Sequence, residues 1–160
     1  KVYLSNAVDM LLFNMAVSGS DNFFKNMYFA ADVDENGDYT MRQIPWDLDL
    51  TFGSVYGEKV FEEDETLIYE EAAVPLLRES RPELIRPYLY ERWEQCRNTF
   101  LDTDHILYIM GENRDYLINS GVVERENTRW PEYAMSIDLG RIVDYQIRRM
   151  DWLDAYFAGY

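Results

Sequence analysis

Cysteine and histidine are almost missing from this sequence: Cys96 and His105 are the single examples in 160 residues. One thiol excludes an internal disulfide and a cysteine-rich zinc site, and says little about compartment. Positive charge is also scarce. Lys and Arg number 15 against 30 Asp and Glu, a formal net charge of −15, and no Lys/Arg run breaks the acidic field. Such a field repels nucleic acid and anionic membrane, and favours a cationic partner, a bound metal or simple solubility. No apolar run reaches membrane-spanning length, and the N-terminus does not read as a signal peptide. Internal repeats, low-complexity tracts and a convincing linker are lacking too. The chain opens at Lys1 without an initiator Met, as an excised or processed segment would.

What is present is apolar and aromatic. At 48% hydrophobic residues, with 13 Tyr, 8 Phe and 4 Trp, the chain can bury a substantial core, which argues against disorder and for one domain over residues 1–160.

The most informative stretch is DNFFKNMYFAADVDENGDYTMRQIPWDLDLTFG, from Asp21 to Gly53. Asp21 is followed five positions later by Asn26. Met27–Val33 alternates like a strand, Asn36-Gly37 inside Asp34–Asp38 is a strong hairpin signal, and Tyr39–Trp46 is a second extended segment. Pro45 marks the end of that strand or an edge position. Asp47 and Asp49 follow directly, ahead of Gly53. A loop, a hairpin and a second loop of this kind can bring their carboxylates to one edge of a small sheet, an arrangement that phosphoryl-transfer enzymes need.

Elsewhere the periodicity is helical. A helix is expected over Val2–Val17, with Leu4, Val8, Leu11, Leu12 and Met15 on one face and Gly19 as its stop. Gly53 and Gly57 allow an irregular loop, and Glu58–Glu65 reads as an exposed acidic connection. Thr66–Glu79 carries Leu67, Ile68, Ala72, Leu76 and Leu77, interrupted at Pro75. Pro82 suits the first turn of a helix reaching about Asn98, with Leu84, Ile85, Tyr88, Leu89 and Trp93 on one face. Asp102 or Thr103 can cap a helix through Ile106, Leu107, Met110, Tyr116 and Leu117, ending near Gly121. A short Val122–Trp130 segment stops at Pro131, and a last helix is expected from Ser136 to about Phe157. The fold class is α+β, mostly α: a short antiparallel hairpin packed on several helices.

The D-x4-N spacing of Asp21 and Asn26, the Met27-Tyr28-Phe29 run and above all Ile44-Pro45-Trp46-Asp47-Leu48-Asp49-Leu50-Thr51-Phe52-Gly53 resemble the CotH family. These are spore-coat protein H-like atypical protein kinases, found in bacterial spore coats and in secreted or cellulosome-associated proteins. Arg92-Trp93, Arg125 to Trp130 and Arg148 to Trp152 extend the similarity over most of the chain. The resemblance covers the C-terminal part of a family member. The smaller nucleotide-clamping lobe, with its phosphate-binding Lys and helix Glu, has no counterpart here, and no Gly-rich phosphate loop replaces it.

The resemblance implies a catalytic Asp21 that orients or deprotonates an acceptor hydroxyl. It implies a metal- and nucleotide-binding pair, Asn26 and Asp47, with Asp49 as second metal ligand or support. ATP with magnesium or manganese would be the cofactors. The partners would be a protein with a Ser or Thr acceptor and the missing N-terminal lobe of the same polypeptide; the location would be extracellular or the spore coat. Ser20 stands where many kinases carry a loop histidine, and His105 lies in a distant expected helix, so the chemistry would be carboxylate and metal work without an imidazole base.

Simpler readings compete. Asp21 can cap a turn, Asn26 can satisfy backbone groups, and Trp46 and Phe52 can be core aromatics. The Arg-Trp pairs read as helix packing, with Arg bridging acidic neighbours. Asp32–Thr40 fits the first half of an EF-hand loop, but its twelfth position is Gln43 and its flanks alternate like strands. Calcium there is the minority alternative to an acidic hairpin turn. A non-catalytic structural or calcium-binding module of a secreted bacterial protein is therefore the second functional reading. A hydrolase with paired carboxylates is the third, disfavoured because Asp47 and Asp49 stand too close to flank a sugar bond.

Overall fold

The structure, a computed structural model, describes residues 3–23, 25–54, 62 and 82–159. In chain order they form α1 (Leu4–Val17), a 3-10 turn (Ser20–Phe23), β1 (Met27–Val33) and β2 (Tyr39–Pro45). Then come α2 (Pro82–Arg97), α3 (Thr103–Asn119), α4 (Val122–Arg129), a second 3-10 turn (Pro131–Tyr133) and α5 (Gly140–Ala158). The architecture is α+β and mostly α, as the patterning indicates. The expected helix over Thr66–Glu79 and most of the acidic connection before it lie outside the described residues.

The core is helical. Leu12, Met15, Ala16, Trp93, Cys96, Leu153 and Phe157 from α1, α2 and α5 close on one another with almost no exposure. Trp93 stacks on Phe157 with ring centroids 4.9 Å apart. Each large apolar side chain buried in this way contributes about 1.5–3 kcal/mol. Tyr145, Arg149, Leu153 and Phe157 recur every fourth residue along the buried side of α5, the spacing that puts side chains on one helix face. Arg149 is fully buried, and its Nε donates to the Met15 carbonyl at 2.8 Å. That carbonyl belongs to the last turn of α1, where carbonyls lack helical partners and a cation is favoured.

Two strands make the sheet, paired antiparallel with Met27 opposite Pro45 and Val33 opposite Tyr39. Pro45 closes β2, where its missing N–H costs little. The hairpin is fastened to α1 by side-chain mimicry of a strand: Asn6 Oδ1 accepts from Gln43 N at 2.6 Å, and Asn6 Nδ2 donates to Gln43 O at 3.2 Å. An otherwise open edge of β2 is thereby partly satisfied. At the tip, Gly37 N donates to Asp34 O, and only Gly37 has a positive φ (80°). The turn thus takes a single left-handed residue, Gly37, rather than two at Asn36-Gly37.

Several expectations are corrected. Leu4 is 64% exposed, although its spacing matches the buried face of α1; it is the first residue of that helix. The left-handed residue that ends α1 is Ser18 (φ 55°), not Gly19. Tyr88 and Tyr116 are exposed. The last helix starts at Gly140, because Asp138 bends the chain first: its carboxylate accepts from Gly140 N at 2.8 Å, and its own N–H donates to Ser136 Oγ. The Asp102 cap is found as expected, its carboxylate accepting from His105 N at 2.9 Å.

Candidate functional site

Two loops meet at the open end of the hairpin. The first leaves α1 through Ser18 and enters the 3-10 turn that carries Asp21. The Asp21 side chain is 27% exposed, and the Lys25 ammonium lies 3.0 Å from its Oδ2, one helical turn along the chain. Asn26 Nδ2 also points to Asp21 Oδ2, at 3.5 Å, the outer limit of a hydrogen bond. Asn26 has φ 37°, a left-handed conformation that Asn tolerates better than most side chains. The amide oxygen is the atom of Asn26 that could hold a cation.

The second loop begins where β2 ends. Asp47 is exposed and left-handed (φ 55°), and no described hydrogen bond or ion pair engages its carboxylate. Asp49, also exposed, has Oδ1 3.0 Å from the Leu50 N–H and so partly serves its own loop. Thr51 is buried and donates to Leu48 O at 2.7 Å, tightening the turn.

Asn22 joins the loops. It is 2% exposed, and its Nδ2 donates to Asn26 O at 2.6 Å and to Trp46 O at 2.8 Å. Trp46 N donates to the same Asn26 carbonyl at 2.9 Å. Asp47, one residue beyond Trp46, is thereby kept beside Asn26 through the main chain. The far side of the second loop is anchored to the helices. Phe52 N donates to Val17 O at 2.7 Å, and Phe52 itself is left-handed (φ 53°), a strained state for a bulky residue. Gly53 (φ 77°) lies so close to Tyr145 that a Cβ there would sit 2.7 Å from the ring. The Tyr145 hydroxyl shares a short hydrogen bond with Ser18 Oγ, and Arg141 Nη2 donates to Ser54 Oγ at 2.8 Å. One tyrosine of α5 therefore touches both loops.

Of the candidate residues, Asp21 and Asn26 are in side-chain contact, Asp47 joins them through the Asn22 node, and Asp49 stands two residues further along an exposed loop. Their donors are all oxygen, the hard set that suits magnesium, manganese or calcium rather than zinc or copper. Among the described residues no three His, Cys, Asp or Glu side chains gather as a metal group. At the hairpin tip two of the acidic side chains, Asp32 and Asp34, serve the fold. Asp32 is paired with Arg42, and Asp34 Oδ1 accepts from the Asn36 and Asp38 N–H groups.

Of the Arg-Trp pairs, Arg92-Trp93 is part of the helix packing, whereas Arg125, Arg129 and Trp130 are exposed, with the Arg129 guanidinium 5.3 Å from the centre of the Trp130 ring. Arg92 forks onto Asp9, which holds the guanidinium pKa above its ordinary value. Trp93 Nε1 and Arg97 Nε both donate to Asp154. His105 is exposed at the start of α3, away from the acidic loops in sequence.

Sequence reasoning missed Asn22, Lys25, Ser18 and Tyr145. The four-residue step from Asp21 to Lys25 was an available signal for the ion pair. Nothing local marks Asn22 or Tyr145, whose partners lie 24 and 127 positions away.

A family model described as CotH kinase protein matches residues 2–153. No curated protein and no solved structure matches the chain.

Proposed function

The chain belongs to the CotH kinase family, and on that premise we propose that it carries the catalytic and metal-binding loops of a protein kinase that moves the terminal phosphate of ATP to a Ser or Thr hydroxyl. The observation that supports the reading is that Asn22 bonds the main-chain carbonyls of Asn26 and of Trp46, the residue before Asp47, while the Asn26 side chain reaches Asp21.

Asp21 orients the acceptor hydroxyl and takes its proton as the oxygen attacks the γ-phosphorus and the bond to the β–γ bridging oxygen breaks. Lys25, 3.0 Å from Asp21, adds a positive charge beside a reaction that moves negative charge. Asn26 and Asp47 would hold magnesium or manganese by oxygen, with Asp49 as a further ligand or as support for the loop. Bound there, the cation would neutralise charge on the transferring phosphate. The hairpin and helices act as the C-terminal lobe, and a second lobe of the same polypeptide completes the grip on the nucleotide. The proposed setting is a bacterial spore coat or a secreted, cellulosome-type assembly, where the acceptor protein would be met. No helix of the described residues is long and apolar enough to cross a membrane.

The test is Asp47→Asn in the full polypeptide that contains this chain, assayed for metal-dependent transfer from labelled ATP. Losing a charged ligand is expected to lower turnover by at least about a hundredfold, the scale of removing one preorganised electrostatic contact. The melting temperature should hardly move, since the Asp47 side chain is exposed. Turnover equal to wild type would sink the assignment of Asp47. Transfer missing from the wild type with magnesium and with manganese would favour a non-catalytic module instead.

A further inference from the structure

Asn22 is nearly inaccessible, yet both hydrogens of its amide nitrogen are spent on main-chain carbonyls from two different loops, those of Asn26 and Trp46. Two oxygen partners fix which end of the amide is nitrogen, because the oxygen end can only accept. With the bond from Trp46 N to Asn26 O, the amide closes a ring of hydrogen bonds across the base of the hairpin.

The two carbonyls are not arbitrary ones. The orientation of the Asn26 carbonyl is set by ψ of Asn26, and the Trp46 carbonyl belongs to the peptide that ends at the nitrogen of Asp47. Asn26 and Asp47 are both left-handed, with φ of 37° and 55°. That conformation redirects a side chain relative to the strand it borders, and Asn and Asp adopt it more readily than other L residues. One buried amide thus holds the peptide planes beside both left-handed residues. These are the two to which the proposed function gives the cation, and the inference rests on that reading.

We infer that Asn22 is a positioning residue for the cation site: through the main chain it sets the separation and aim of the Asn26 and Asp47 side chains, without touching cation or nucleotide. The structure also reserves room for it. A Cβ on Gly19 would lie 3.0 Å from Asn22 Oδ1 and 2.9 Å from Asn14 Oδ1, so a side chain at position 19 would press on the amide. No other short side chain does the same work. Asp has no hydrogen to donate when ionised, Ser donates one, and Ala donates none.

The test is manganese binding, followed by the electron paramagnetic resonance of free Mn2+, with a non-hydrolysable ATP analogue and the full polypeptide. Wild type is compared with Asn22→Ala, Asn22→Ser and the core variant Leu12→Ala, each shown to be folded by circular dichroism. Supporting residues behind metal ligands typically change affinity about 10–100-fold, and that weakening is expected for Asn22→Ala. Asn22→Ser, with one donor kept, should fall between it and wild type. Leu12→Ala should bind as wild type does, which separates positioning from a general loss of stability. Manganese affinity unchanged in Asn22→Ala would overturn the inference while leaving the kinase reading in place. Should Asn22→Ala fail to fold, unchanged affinity in Asn22→Ser would overturn it equally. A wild type that binds no manganese would remove the cation site itself, and both readings with it.

Discussion

The helices and the hairpin of this protein are held together by different physics. Where α1, α2 and α5 meet, the centre is mainly apolar, with Leu12, Cys96, Met150 and Leu153 showing no exposure. The bonds of Arg92 to Asp9 and of Arg97 to Asp154, and the buried Arg149, supplement it. At the hairpin base, the two loops are joined by side-chain amides, hydroxyls and main-chain carbonyls, and Asp47, Leu48 and Asp49 face solvent. Burial is non-directional and scales with area, so it makes a scaffold stable without fixing any one atom. Hydrogen bonds add little net stability each but impose distance and angle. A site that must hold oxygen ligands in a set geometry needs the second kind of contact, resting on a body made by the first. Among the described residues, Asn6 ties β2 to α1, Phe52 N bonds Val17 O at the end of α1, and Tyr145 and Arg141 tie the loops to α5.

The comparison breaks most severely if the scaffold is cut. Leu12 is fully buried against the other helices. Leu12→Ala should cost about 2–5 kcal/mol, from lost transfer energy and a cavity that neighbours only partly fill. A urea titration followed by circular dichroism reads it as a lower midpoint. Under conditions where the variant stays folded, the loops should keep their geometry. A Leu12→Ala chain that loses less than about 1 kcal/mol would mean the core is more pliable than its packing indicates.

Gly53→Ala strikes the joint rather than the scaffold. It forces a Cβ into a left-handed residue and against the Tyr145 ring at 2.7 Å. Strain of this kind costs about 1–3 kcal/mol, less than the core cavity. Its effect on metal-dependent transfer should nonetheless exceed that of Leu12→Ala, because the displaced ring also bonds Ser18 at the entrance to the Asp21 loop. Equal transfer in both variants, measured well below their melting temperatures, would erase the distinction between scaffold and joint.

That distinction also separates what is legible in the sequence from what is not. The buried faces of α1 and α5, the hairpin and the Asp102 cap follow local rules of period, turn and cap, and the structure has them close to the expected places. The departures occur where a distant partner decides. Leu4 fits the period of α1, but no neighbour covers it; Ser18 takes the left-handed cap beside a Gly that periodicity would choose. Asp21, Asn26, Asp47 and Asp49 could be singled out as a pattern, because carboxylates at the two ends of a hairpin are visible in one dimension. Asn22 and Tyr145 could not, since their roles exist only once the chain has brought Trp46 and Gly53 to them.

The smallest effect concerns Cys96, the free thiol inside the helical core. Burial pushes its pKa above the ordinary thiol value, with the nearby Arg92 opposing and Asp9 reinforcing the shift. The sign follows from proton counting. Above the ordinary thiol pKa of about 8.5 the unfolded chain releases this proton, while the folded chain keeps it. The folded state then binds more protons than the unfolded state, so stability falls as pH rises through that window, until the folded thiol also ionises. Below the window the contribution is complete and independent of pH. Cys96→Ala removes it, whereas the tyrosines that titrate nearby are common to both proteins and cancel. Urea midpoints near neutral pH and at about pH 9.5 should therefore show wild type losing more stability than Cys96→Ala, by at most about 1.4 kcal/mol, the limit for one pH unit above the ordinary thiol pKa. Parallel losses would mean that the thiol ionises as readily inside the fold as outside it, and that water reaches the centre of the scaffold in the way it reaches the loops.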